Sequence, residues 1–171
     1  MSRSATRPLD PLWWIGLPMV LALVGTLVFL LPIRPFGLRL PEPVFAMVLA
    51  FAWAVIRPSV IAPFALLAMG AIMDTLWGSP LGLWSLALLI AHGVIFSVRS
   101  VLAGQSLAVM WVWYGAACLV AELAAYLLTQ ISAQAVPNLI SAGWQILATV
   151  LLYPFAHLLI DRFEDADVRF R

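Results

Sequence analysis

Apolar residues run nearly unbroken along this chain, interrupted at short intervals by proline, glycine and arginine. A helix needs about 20 residues to cross a hydrocarbon core of about 30 Å, within a tolerated range of roughly 17–25. Counted against that length, the runs predict six spans, at about 12–31, 42–57, 59–77, 81–98, 106–131 and 139–160. Pro32 and Pro35 end the first span. Arg57-Pro58-Ser59 separates the second from the third, because proline disfavours helix at the residue before it. The second run is short, which predicts Pro41 and Pro43 within its first turn, where proline is tolerated. Pro154 is predicted to kink the sixth span and to leave the carbonyl of Val150 without its helical partner. The connections are brief, the longest being 32–41, and none has room for a soluble domain. Residues 1–171 therefore read as one all-α integral membrane domain, a six-transmembrane-helix bundle.

Composition sharpens this picture. The chain is 64% hydrophobic and 10% charged, against about 25% charged in a soluble domain. Its nine basic residues are all arginine and cluster near the ends of apolar runs. The run 12–31 follows Arg3 and Arg7 as a secretory signal would, but it is too long for an h-region and lacks an A-x-A-like cleavage site, so a retained first span is expected. With the N-terminus inside, the cytoplasmic side carries Arg3, Arg7, Arg57, Arg99, Arg162, Arg169 and Arg171, and the outside only Arg34 and Arg39. That excess predicts that both termini are cytoplasmic. Trp13, Trp14, Trp77, Trp84 and Trp144 fall near span ends, and Trp53, Trp111 and Trp113 within a turn or two of the inner surface, as an interfacial aromatic belt would. The net charge of +1, with no basic face, gives no reason to expect nucleic acid. Cys118 alone cannot form an internal disulfide, and no His/Cys spacing suits a metal, so no cofactor is expected. Paired aspartates, His-Glu-x-x-His and Ser/His or Ser/Lys dyads are also missing, which argues against an enzyme.

An ionisable side chain at mid-membrane costs roughly 2.5–3.5 kcal/mol on insertion scales, so the polar residues inside the spans need an account. At about 1.5 Å per residue, Asp74 lies about 22 Å from the inner end of the third helix and Glu122 about 24 Å from that of the fifth. Gln145 lies about 9 Å from the outer end of the sixth. These three are expected to form a polar layer near the outer surface, joined by Tyr126, with His92 deeper on the fourth helix. Ser85, His92 and Arg99 share one stripe. Tyr114, Cys118, Glu122 and Tyr126 step by four, as do Ser141, Gln145, Thr149, Tyr153 and His157, although the last series winds round its helix. Such Ser, Thr, Gln and His residues more often serve helix packing than ligands. Asp74 and Glu122 have no buried Arg or Lys to pair with. Desolvation without a cation favours the neutral carboxyl, so at least one is expected to be protonated or capped by helix N-terminal amides and hydroxyls such as Ser79, Thr75 or Tyr126. The layer would serve partner docking or a ligand. Gly70, Asp74 and Gly78 lie on one face at a spacing that permits close helix approach.

The segment Gly-Ala-Ile-Met-Asp-x-x-x-Gly-Ser-x-Leu-Gly, from Gly70 to Gly82, closes the third span and carries Ser79 and Pro80. With six short spans, it resembles the rod shape-determining MreD family. Gly70, Asp74, Gly78 and Gly82 map onto the family pattern, while the later helices carry no matching motif. The resemblance implies a non-enzymatic, multi-pass protein of the bacterial inner membrane, part of the cell-elongation complex. It would bind MreC and connect with MreB and with the transpeptidase and glycosyltransferase of sidewall peptidoglycan synthesis. A homodimer is compatible with it. The fold is similar to the substrate-binding subunits of energy-coupling-factor transporters, so a vitamin-type transport subunit is the alternative.

Overall fold

Left-handed glycines at 78, 82 and 104 mark the turns on either side of the helix Leu83–Leu102, and Pro154 the break in the last span. The computed structural model describes residues 12–31, 42–56, 59–133 and 138–168, and every element among them is helical. A π-helical turn at Leu12–Gly16 runs into α1 (Leu17–Leu30). There follow α2 (Ala46–Ile56), α3 (Ile61–Trp77), α4 (Leu83–Leu102), α5 (Leu107–Ala133), α6 (Leu139–Val150) and α7 (Tyr153–Val168). Arg3, Arg7, Pro32, Arg34, Pro35, Arg39, Pro41, Arg57, Pro58, Arg169 and Arg171, on which the span ends and orientation partly rest, lie outside the described residues.

Among the described residues, four stretches are long and apolar enough to cross a membrane: Trp13–Leu30, Leu83–Leu102, Leu107–Ser132 and Leu139–Arg162. Their outward faces carry Leu21, Val28, Leu119, Leu123, Ile131 and Leu147, all exposed. A water-soluble monomer rarely shows so continuous an apolar surface, whereas lipid solvates it. The chain is a membrane protein, all-helical among the described residues.

The shortest α-helix among the described residues, α2, occupies the centre. From Ala46 to Ala54 every residue of α2 is buried, as expected of a helix that is apolar all round. Alanines at 46, 50, 52 and 54 let neighbours approach closely, and α4 and α7 pack against it most extensively. Pro43 does not enter its first turn, contrary to the expected start at residue 42. Residues 42–44 are non-helical, and the Val44 amide donates to Thr149 Oγ1 at 3.1 Å. A side chain of α6 thus satisfies an amide that a helix start would leave open.

Two prolines shape the bundle in the same way. Pro154 cannot donate to the carbonyl of Val150, the last span breaks at residues 151–152, and Trp111 Nε1 of α5 donates to that carbonyl at 3.1 Å. Pro18 likewise cannot serve the carbonyl of Trp14, and Trp53 Nε1 of α2 donates there at 3.2 Å. Trp14, Trp53 and Trp84 are buried rather than lipid-facing as a belt would be: Trp14 packs edge-on against Trp53 and Trp84 against Trp77, and the Trp53 indole finds a backbone acceptor. Trp13 and Trp144 are exposed. Next to the break, Tyr114 donates its hydroxyl to the Thr149 carbonyl at 3.2 Å. Trp111→Phe keeps a ring over Tyr153, stacked at 5.6 Å, but removes the donor to Val150. It is expected to lower stability by about 1–2 kcal/mol, measured by denaturant unfolding in mixed micelles.

Candidate functional site

The α3–α4 connection contains every residue of the Gly70–Gly82 segment. Gly78 takes φ +65° and ends α3 with its amide donating to the Asp74 carbonyl. The Ser79 amide reaches the same carbonyl at 3.0 Å. A left-handed residue followed by this longer bond is the Schellman type of helix ending, for which glycine is best suited. Gly82, at φ +94°, precedes α4 and offers no side chain to cap it.

Asp74 supplies the missing cap from the previous helix. Its Oδ1 accepts from Ser79 Oγ at 2.8 Å and from the Trp84 amide at 3.0 Å, and its Oδ2 accepts from the Gly82 amide at 2.8 Å. The Leu83 amide donates to the Pro80 carbonyl at 3.1 Å. Three of the opening amides of α4, those of Gly82, Leu83 and Trp84, which have no partner within their own helix, are thereby satisfied. A carboxylate at that end also meets the positive pole of the helix dipole. Asp74 is fully buried and accepts at every contact. Its main chain ends one helix while its side chain begins the next.

Gly70, one turn earlier, brings the two backbones together. A Cβ at this position would collide with the main chain of Ser85 and Trp84. Ser85 Oγ donates to the Leu67 carbonyl at 3.0 Å, and Trp77 meets Trp84 edge-on at 5.1 Å. Gly70, Asp74, Gly78, Ser79, Pro80 and Gly82 thus form one structural clasp. Thr75 takes no part, since its hydroxyl donates to the Ile72 carbonyl at 2.7 Å.

The expected polar layer does not assemble as a unit. Asp74 spends its oxygens on its own hairpin. His92 Nδ1 is 3.0 Å from the Ala50 carbonyl of the central helix, and its ring stacks on Phe96, over which Arg99 lies at 4.6 Å. α4 packs against both α3 and α5 and stands between them, which keeps Asp74 away from Glu122 and Tyr126. Gln145 contributes a main-chain carbonyl to the Thr149 hydroxyl at 2.7 Å. Glu122 and Tyr126 are half-buried on α5. Among the described residues neither side chain makes a hydrogen bond, and the neighbours Leu119 and Leu123 of Glu122 are exposed. The unanswered acid is therefore Glu122 rather than Asp74.

Thr149 escaped notice in the sequence as more than one step of a polar series, yet it joins α5, α6 and the approach to α2. Only the proline five residues later hinted that its turn would need outside partners. Among the described residues no three His, Cys, Asp or Glu side chains gather closely enough to hold a metal ion. No protein-family model matches the chain, and no curated protein or solved structure matches it significantly.

Proposed function

We propose that this chain is a non-enzymatic scaffold of the bacterial cell-elongation machinery, of the MreD type, held in the inner membrane by six spans with both termini cytoplasmic. In this reading α2 and α3, of 11 and 17 residues, are the two shorter spans, with α6 and α7 together making the sixth. Its proposed partner is MreC, and through it MreB and the transpeptidase and glycosyltransferase of sidewall synthesis. The observation that carries the proposal is the clasp: all four residues that match the family pattern, Gly70, Asp74, Gly78 and Gly82, act in one helix–helix joint. An acid sealed inside such a joint fits a structural part better than a reactive one.

Glu122 is the proposed contact for the partner. A carboxyl on a lipid-facing stretch is stabilised by a donor on a neighbouring transmembrane helix. The transport alternative would want Asp74, Glu122 and Gln145 lining one cavity. Among the described residues, one cavity of about 680 Å³ lies among α1, α2 and α7, and none of the three lines it.

The test is co-purification of the tagged full chain with MreC from a rod-shaped host, alongside depletion. Depletion is expected to round the cells, and Glu122→Leu to reduce recovered MreC by about tenfold, the equivalent of about 1.4 kcal/mol. Cells that stay rod-shaped, with a protein that purifies alone carrying a small molecule, would overturn the proposal.

A further inference from the structure

α1 and α7 both rest on the buried α2 but hardly touch one another. The gap between them is an open groove of about 680 Å³, within the roughly 300–1,000 Å³ typical of small-ligand sites. Its floor includes Ala22 and Val48, both buried, and its walls include Leu21 and Leu158, which are 61% and 64% exposed. The lining is apolar except at one end, where α7 contributes Asp161 and Arg162. From Phe155 to Arg162 the helix rises about 10 Å, so the groove extends through much of one leaflet.

The charged end lies at a telling depth. The apolar run of the last span ends at Ile160, and Asp161 and Arg162 are the first charged residues after it. The Arg162 guanidinium therefore stands where hydrocarbon gives way to headgroups, the level at which basic side chains meet anionic lipid. The Asp161 Oδ2 lies 3.3 Å from Nε2 of His157, one turn back on the same helix. Arg162 is exposed at the mouth of the groove. An apolar trough open to the bilayer suits an acyl chain, and a cation at its mouth suits a phosphate.

We propose that the groove between α1, α2 and α7 is a binding site for one anionic membrane phospholipid, with an acyl chain over Ala22 and Val48 and the phosphate on Arg162. The site does not depend on the scaffold proposal, since it shares no residue with the clasp or with Glu122.

Native mass spectrometry of the full chain in non-ionic detergent tests this, with added phosphatidylglycerol compared against diacylglycerol of the same chains. The wild type is expected to retain one phosphatidylglycerol in preference to diacylglycerol. Arg162→Gln should weaken that retention by about tenfold with helix content by circular dichroism unchanged. Ala22→Phe, which fills the floor, should abolish it. Because a floor substitution can also disturb folding, Leu158→Trp narrows the exposed wall as a second obstruction and should weaken retention in the folded protein. Absence of retained phospholipid in the wild type would overturn the site. So would equal retention by wild type, Arg162→Gln and Leu158→Trp, which is the behaviour of lipid bound elsewhere. Disulfide capture of another polypeptide through Leu158→Cys would replace the lipid with a partner helix.

Discussion

Asp74→Ala is expected to destabilise the protein by about 3–5 kcal/mol, because it removes three hydrogen bonds to a buried carboxylate, each worth about 1.5–3 kcal/mol before water and relaxation recover part of the loss. The substitution orphans the Ser79 hydroxyl and the amides of Gly82 and Trp84 together, and each buried unsatisfied group costs about 1–3 kcal/mol. Gly82 is exposed, so water recovers part of its share, which keeps the total below the sum of three. Asp74→Asn retains one acceptor oxygen but turns an amide donor toward another donor, and should lose about 2 kcal/mol. Ser79→Ala removes one hydroxyl and should lose about 1 kcal/mol. Unfolding by increasing mole fraction of a denaturing detergent, followed by far-ultraviolet circular dichroism, orders the three variants. If Asp74→Ala fell within 1 kcal/mol of wild type, water would have to reach the start of α4, and the clasp would not be structural.

Gly70→Ala should cost about 3 kcal/mol, the upper part of the range for overpacking. Most overpacked sites relax because the obstructing atom belongs to a flexible side chain. Here the obstruction is the main chain of Ser85 and Trp84, and moving it pulls the Trp84 amide from Asp74 and the Ser85 hydroxyl from Leu67. The two substitutions therefore act on the same contact. Residues that share partners usually show coupling of about 0.5–3 kcal/mol, so the double variant Gly70→Ala, Asp74→Ala should lose less than the two single losses added together. Strict additivity in the same unfolding experiment would mean that the glycine approach and the carboxylate cap are independent.

The clasp was half legible in the sequence. Gly78 and Gly82 read as helix breakers, and the i, i+4, i+8 spacing of Gly70, Asp74 and Gly78 placed them on one face. The spacing did not say which donors Asp74 would take. Ser79 is close enough in the chain to be foreseen, but the amides of Gly82 and Trp84 belong to the next helix and become available only once the turn is folded. The polar layer misled for a related reason. Depth along a helix follows from residue number alone, so Asp74, Glu122 and Gln145 could be set at one level. Whether they meet depends on which way each helix is turned and on what stands between them, and α4 stands between α3 and α5.

By itself the sequence determined the membrane character of the chain, most helix ends, and the release of the Val150 carbonyl by Pro154. These follow from hydropathy summed over about 20 residues and from sterics that act within one turn. Only the tertiary structure decided that the 11-residue α2 lies at the centre, that Trp111 and Trp53 answer the two carbonyls freed by proline, and that Asp74 is spent while Glu122 is not. Each of those outcomes depends on the axial register and rotation of one helix against another. A single stretch of sequence contains no term for either, because both are settled by packing among elements far apart in the chain.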